Sequence, residues 1–324
     1  MRIITRFYPR PATIMIIFDD TERFSQLEQH CVATIGKFDG VHLGHQLIVD
    51  QLQRQAEQLE CPTVVILIEP HPEEFFAAGS DSAPARLTVI REKLELLESL
   101  GVDYVYQLHF DQAMSELSAE SYIEDILVNG LGVSCFIIGN DFRFGHQRRG
   151  DFAMLQQAGK EHGFKVLETM PYEHNGERIS STYIRDELAA GNFQLVEQLL
   201  GRPYSMTGEV IRGRQLGTDL GFPTCNINPH RRRIPLHGVF ACEVRLADRY
   251  RPAAVNIGYR PTVSEDGEAL LEAHILDFDE DLYGKTIEVI FRQKIRDEQK
   301  FDGLDALKRQ MSADVRQVRE VLAQ

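Results

Sequence analysis

A chain of 324 residues is long enough for two domains of ordinary size. Lys and Arg number 35 against 49 Asp and Glu, a formal net charge of −14, which argues against a protein built mainly to cover a nucleic-acid backbone. The five cysteines, Cys31, Cys61, Cys135, Cys225 and Cys242, form no CxxC pair, so neither a zinc knuckle nor a disulfide framework is indicated and a reducing, cytoplasmic setting fits.

Near the start, "ATIMIIF" is apolar but far too short to span a membrane and reads as a strand, with no export signal. Short β-rich runs then alternate with helical patterns: "VATIG", a helix over Leu43–Leu59, "TVVILI", a helix over Arg86–Leu100, "DYVYQLHF", a helix around Ala119–Asn129, "SCFIIG", a helix over Phe152–His162, and "FKVLE". This alternation predicts a doubly wound, Rossmann-like α/β domain with a parallel sheet. Ligands in such sheets sit beyond the carboxyl ends of the strands, where "GKFDG" and "GNDFRFG" fall.

From Ser181 to Leu200 the pattern is two short helices joined at Gly191 and Asn192, closing on Gly201 and Pro203. The domain boundary is placed here: 1–190 as the first domain, 191–202 as a helical linker and 203–324 as the second. Beyond it, "SMTGEVI", "FACEVRL", "PAAVNIG", "LLEAHILDF" and "KTIEVIFRQKI" are strands separated by turn residues with little room for crossover helices. They predict an antiparallel barrel or sandwich, packed by a last helix over Leu304–Leu322.

Two stretches carry the chemistry of the first part. In "GKFDGVHLGHQ", a helix N-terminus offers backbone N–H groups to an anion. Gly36, Gly40 and Gly44 let a nucleotide approach, and His42 and His45 share one helical face, able to donate to one phosphate. Taken alone, the pair reads equally well as one capping and one half-buried histidine. Downstream, Asp141 sits at the tip of the turn in "GNDFRFG", and Ser180, Ser181, Thr182 and Arg185 open a helix, where a plain helix cap is the alternative to a phosphate site. "EPHPEEFF" reads as a rigid loop around His71, with Phe75 and Phe76 in the core.

These motifs, in this order and spacing, resemble the adenylyltransferase module of the prokaryotic bifunctional riboflavin kinase/FAD synthetase family, within the HxGH nucleotidyltransferases. The resemblance implies attack by an FMN phosphate oxygen on the α-phosphorus of ATP, releasing pyrophosphate and FAD. It implies that His42 and His45 contact the ATP phosphates, that Phe38, Asp39 and Asp141 shape the nucleotide and metal site, and that Ser181 and Arg185 hold the phosphates. Lys37 stands where the family commonly has a small or amide residue, and is expected to point to solvent.

In the second part, Thr224 and Asn226 of "GFPTCNI" lie two apart on a strand and so face one side, offering hard oxygens of the kind Mg²⁺ accepts. A polar strand edge is the bland alternative. Glu272 is a carboxylate in an otherwise apolar strand, either solvated or poised as a base. Gly213, Gly217 and Gly221, together with Asn256 and Gly258 of "NIG", suit flaps that wrap phosphates.

"LGFPTCNI", "HGVFACEV", "VNIGYRPTV", "LEAHILDFDEDLYG" and "KIRDEQKF" resemble the riboflavin kinase module of the same family, whose fold is a six-stranded antiparallel barrel. The resemblance implies transfer of the ATP γ-phosphoryl group to the ribityl 5′-hydroxyl of riboflavin. Glu272 would act as base, Thr224 and Asn226 would hold Mg²⁺, Phe222, Pro223 and Gly238 would line the nucleotide or flavin site, and Arg296 would lie near the flavin. The chain departs from the family at "RGRQLGTDLGFPT", where Arg212, Arg214 and Thr218 replace the usual glycine-arginine arrangement. Cys225 replaces an alanine, a tolerated change with a reactive thiol as the alternative. The run Arg231 to Arg233 reads as a solvated turn. The partners implied are ATP, riboflavin and FMN, with no nucleic acid, no membrane and at most weak self-association. A degenerate, flavin-binding barrel is the rival for the second module. A flavin-sensing DNA regulator is disfavoured by the missing helix-turn-helix and basic face.

Overall fold

A computed structural model describes residues 14–21, 24, 30–77, 83–169, 171–212, 221–247, 249–259 and 269–323. Gly213, Arg214, Gly217 and Thr218 lie outside the described residues. By contact the chain forms two compact units, one from 1–83 with 90–178 and one from 84–89 with 179–324.

The first unit is built on β1 (Ile16–Phe18), β2 (Cys31–Gly36), β3 (Thr63–Glu69), β4 (Tyr104–His109), β5 (Val133–Ile138) and β6 (Lys165–Glu168), all parallel, in the order β1-β4-β3-β2-β5-β6. Between them run α1 (Leu43–Leu59), α2 (Pro72–Phe76), α3 (Ile90–Ser99), α4 (Gln112–Glu116), α5 (Ala119–Ser121) and α6 (Phe152–His162). Strand alternation explains the two layers. Val65 and Leu67 turn to the side of Val49, Leu52 and Leu97, whereas Val64 and Ile66 turn to the side of Ile126, Leu127 and Leu155. Each such fully buried side chain stabilises by about 1.5–3 kcal/mol. The predicted doubly wound sheet is therefore present, and its order reverses between β2 and β5, where Thr34 Oγ1 donates to the carbonyl of Ile137 at 2.8 Å.

Several local expectations change. The helix expected around Ala119–Asn129 makes one α turn and continues as a π-helix over Tyr122–Val128. Its buried residues Tyr122, Ile123, Ile126 and Leu127 repeat every four positions, and the wider turn keeps them on the core. "EPHPEEFF" is not a loop: Pro72 at the first helical position favours a helix start, and the Glu74 carboxylate accepts from the His71 N–H at 3.1 Å. A hairpin of β7 (Glu173–His174) and β8 (Glu177–Arg178) turns at Asn175 and Gly176, both at positive φ.

The second unit begins with α7 (Ser181–Ala190) and α8 (Phe193–Leu200), ended by Gly191 and Gly201 in left-handed conformation. Helix α7, expected in the first domain, belongs to this unit by contact. A closed antiparallel barrel follows: β9 (Ser205–Ile211), β10 (Cys225–Asn228), β11 (Gly238–Leu246), β12 (Arg249–Tyr259), β13 (Ala269–Ile275) and β14 (Thr286–Arg296), in the order β10-β13-β12-β11-β14-β9. Six strands close on themselves because β9 pairs with both β14 and β10, which leaves no edge. Helix α9 (Leu304–Leu322) packs through Val318 against Ala241 and Leu276.

Residues 84–89 join this unit, and so the helix expected from Arg86 begins only at Ile90. Leu87 is fully buried, and its carbonyl accepts from Tyr204 Oη at 3.2 Å and Arg231 Nη2 at 3.0 Å. Arg231 is 4% exposed, which corrects its reading as part of a solvated turn.

Arg296 meets Asp314 of α9 through Nε and Nη2, at 2.8 to 3.1 Å, and Gln310 adds a bond at 2.8 Å. Asp314 is almost fully buried. Truncating one partner of such a pair strands the other charge, so Asp314→Ala should cost about 3 kcal/mol. A urea-unfolding midpoint equal to that of the wild type would show that the clamp contributes nothing.

Candidate active sites

The first site forms where β2 ends. Phe38, Gly40 and Val41 all take positive φ (48°, 83° and 41°), a region costly for a β-branched residue. The turn holds because Phe38 and Val41 are each 1% exposed, Val41 N–H donates to Phe38, and Gln46 Nε2 donates to the Val41 carbonyl. It delivers His42 to the N-cap of α1, where Nδ1 accepts from the His45 N–H at 3.3 Å. The two readings of the histidine pair are thus compatible: His42 caps the helix and its ring still belongs to the site. With Nδ1 accepting, the neutral imidazole carries its proton on Nε2 as a donor. The His45 ring stacks on that of His42, with centroids 3.7 Å apart, and meets Phe38 at a 30° tilt, with centroids 4.7 Å apart. Asp39 is 2% exposed beside them, and the N–H groups of Leu43 and Gly44, first in α1, have no acceptor within the helix.

Around this stack lie the other strand ends. Lys37 does not simply point to solvent: Nζ meets Glu73 of α2 at 2.6 Å, joining the loops after β2 and β3. Phe76 is 71% exposed and forms edge contacts with Phe75 and Phe110, against its expected place in the core. Fully buried Lys93 reaches Glu69 at 3.2 Å and His71 Nε2 at 2.8 Å, a network that sequence reasoning missed because Lys93 sits in an ordinary amphipathic helix. Asp141, after β5, pairs with Arg178 at 2.9 Å. A Cβ at Gly139 would lie 2.6 Å from its Oδ1. Ser180 caps α7 by accepting from the Tyr183 N–H at 3.1 Å, and Arg185 Nε donates to the Ala85 carbonyl. Ser180, Ser181, Thr182 and Arg185 all belong to the second unit.

The second site is a row across the barrel. Asn226 of β10 pairs with Glu272 of β13, and Glu272 pairs with Asn256 of β12. Directly paired residues face the same side. That side is the outer one, because Leu271 and Ala273 are buried inward while Glu272 is exposed. Thr224, two residues before Asn226, lies just ahead of β10. Asn256 Nδ2 donates to Glu298 at 3.1 Å, a contact not anticipated from sequence. Gly238, at φ 108°, admits no side chain: a Cβ there would lie 2.4 Å from the Arg296 carbonyl. Arg296 itself is engaged with Asp314, and its guanidinium lies 5.8 Å from the Phe301 ring. Arg212 lies 4.9 Å over the Tyr283 ring. Gly221, Phe222 and Pro223 lead into β10, and Gly258 lies on β12, two residues after Asn256.

The chain joins a parallel-sheet unit, in which His42 caps a helix beside His45, to a closed barrel that carries a carboxylate in register with two amides, the two-module architecture of an α/β nucleotide-binding type of domain followed by a barrel domain. Residues 24–183 match the FAD synthetase family and residues 200–322 the riboflavin kinase family. The chain belongs to the bifunctional riboflavin kinase/FMN adenylyltransferase family. It is 47% identical over 90% of its length to the member from Pseudomonas fluorescens, covering 93% of that protein. It is 46% identical to the members from Escherichia coli (90% of this chain, 93% of that one) and Haemophilus influenzae (89% and 92%). A crystal structure described as a macrolide-efflux protein from Streptococcus pneumoniae shares the architecture with a TM-score of 0.79, at 27% identity, over 94% of this chain and 99% of that one. Among the described residues no helix is long and apolar enough to cross a membrane.

Cys225 lies between Thr224 and Asn226, and its Sγ contacts the Ala273 carbonyl at 3.5 Å. Burial pushes its thiol up to about 11 from the ordinary 9.0. At pH 8 the thiolate fraction then drops from about a tenth to about a thousandth. Iodoacetamide at pH 8, followed by peptide mass spectrometry, should label Cys225 about 100-fold more slowly than a free cysteine peptide. Labelling at the peptide's rate would make it a reactive thiol.

Proposed function

We infer that the chain phosphorylates riboflavin to FMN at the barrel and adenylylates FMN to FAD at the parallel sheet, using ATP in both steps. The in-register row Asn226–Glu272–Asn256 carries the kinase reading, since it sets an accessible carboxylate between two amides.

In the kinase step Glu272 accepts the proton of the ribityl 5′-hydroxyl as its oxygen bonds to the γ-phosphorus, and the bond to the β-γ bridging oxygen breaks to release ADP. Thr224 and Asn226 offer hard oxygens, a donor set that suits Mg²⁺ shared with substrate phosphates. The metal, bound with ATP, neutralises phosphate charge during transfer. Asn256 orients the acceptor, with its amide nitrogen committed to Glu298.

In the adenylyl step an FMN phosphate oxygen bonds to the α-phosphorus of ATP and pyrophosphate departs. His42 donates from Nε2 to the phosphate on which charge builds, and the N-terminus of α1 adds its N–H groups and dipole. His45 is held for the same task between Phe38 and His42. Little covalent help is required, so positioning and charge stabilisation carry the reaction. The roles of Asp141, Ser181, Thr182 and Arg185 in holding nucleotide are those the resemblance implies, as are the catalytic modules 1–190 and 203–324 with 191–202 between them.

A chromatographic assay with ATP and Mg²⁺, started from riboflavin or from FMN, separates the steps. His45→Ala should lower FAD formation from FMN by about 100-fold or more and leave FMN formation from riboflavin intact. Equal loss of both would break the two-site reading. Glu272→Gln should do the reverse, lowering FMN formation by about 100-fold or more. Retained kinase activity would remove Glu272 as the base.

A further inference from the structure

Thr224 precedes β10, so the strand's ladder does not fix the peptide that carries it. A side chain of β13 does. His274 Nδ1 lies 2.8 Å from the Pro223 carbonyl oxygen, and the His274 ring meets that of Phe222 edge-on at 5.5 Å. That carbonyl belongs to the peptide joining Pro223 to Thr224. Because a carbonyl only accepts, Nδ1 carries the proton, in the neutral ring as in the charged one. His274 stands two residues after Glu272 and therefore on the same outer face.

We propose that His274 is a positioning residue for the kinase reaction, whose Nδ1–H holds the Pro223 carbonyl and thereby sets Thr224 beside Asn226 on the nucleotide-phosphate side of the site. This rests on the kinase reading of the barrel. His274 touches no reacting atom in this role. It acts through the Pro223–Thr224 peptide, so its loss falls on the nucleotide rather than on riboflavin. The edge-on contact with Phe222 confines the ring, and the hydrogen bond gives the anchor direction.

The chemistry of the anchor can be separated from bulk. Asparagine places an amide N–H near the position of imidazole Nδ1, whereas glutamine places one near Nε2. The test uses the full chain as wild type, His274→Asn, His274→Gln and His274→Ala. It measures Mg²⁺-ADP binding by calorimetry, KM for ATP and for riboflavin, and FAD formation from FMN as a control on the first unit. Wild type that forms no FMN from riboflavin would overturn the kinase reading itself. With that activity present, His274→Ala and His274→Gln should weaken ADP binding and raise KM for ATP by about tenfold or more, the usual cost of losing a residue that orients a ligand-holding group. His274→Asn should stay within about threefold of wild type, and KM for riboflavin within about twofold in every variant. FAD formation from FMN should not change. The proposal is overturned if His274→Asn is as impaired as His274→Gln, if His274→Ala binds ADP like wild type, or if riboflavin and ATP are affected alike. Should His274→Ala fail to fold, the contrast between Asn and Gln still decides.

Discussion

The register of β13 against its two neighbours is the constraint on which the second site depends. Leu271, Ala273 and Ile275 face the barrel interior, and Glu272 and His274 alternate with them on the outside. A slip of one residue would exchange the two sets. It would carry a carboxylate and an imidazole into an apolar core and expose the aliphatic side chains that stabilise the barrel. Burying an unpaired polar group alone costs several kcal/mol. The hydrophobic effect therefore fixes this row as strongly as it fixes the fold, and no separate device is needed to bring Asn226, Glu272 and Asn256 into line.

The first site is held differently. There the backbone is bent against its preference, with Phe38 and Val41 at positive φ before α1 begins. Residues in such regions cost on the order of 1–3 kcal/mol each and persist only where their surroundings over-determine them. Here the surroundings are the apolar layer that buries both side chains, the Gln46 bond and the His42 cap. The stack Phe38–His45–His42 then adds aromatic contact to a segment already confined. The carboxyl ends of β2 and β5, where the sheet order reverses, place this strained turn at the crevice in which nucleotides bind in sheets of this kind.

Much of this was legible in the sequence because periodicity and end signals are local. The strand run "TVVILI", the helix Leu304–Leu322 and the glycine stops at Gly191 and Gly201 all appear where the pattern places them, while the strand expected over "LLEAHILDF" ends at Ile275. The hairpin over Glu173–Arg178 carries a legible signal too, since Asn175-Gly176 is a strong turn pair, but its flanks lack apolar alternation. Pairings between distant segments were not legible. Nothing local marks Lys93 as the partner of Glu69 and His71, Arg231 as a buried donor to Leu87, or Lys37 as the partner of Glu73. Each is decided by tertiary contacts over 22 to 144 positions. Arg296 shows the same limit, since its motif points to the flavin while its guanidinium engages a helix 18 residues on.

Strand periodicity also sets where the Cys225 side chain lies. Asn226 is in register with Glu272 on the outer face, so the residue before it, Cys225, turns the other way, with its Sγ 3.5 Å from the Ala273 carbonyl. Alternation thus separates the Asn226 amide from the Cys225 sulfur. Desolvation pushes the thiol up to about 11, which disfavours the thiolate at neutral pH. The Cys225 side chain thus lies apart from the outer row Asn226–Glu272–Asn256.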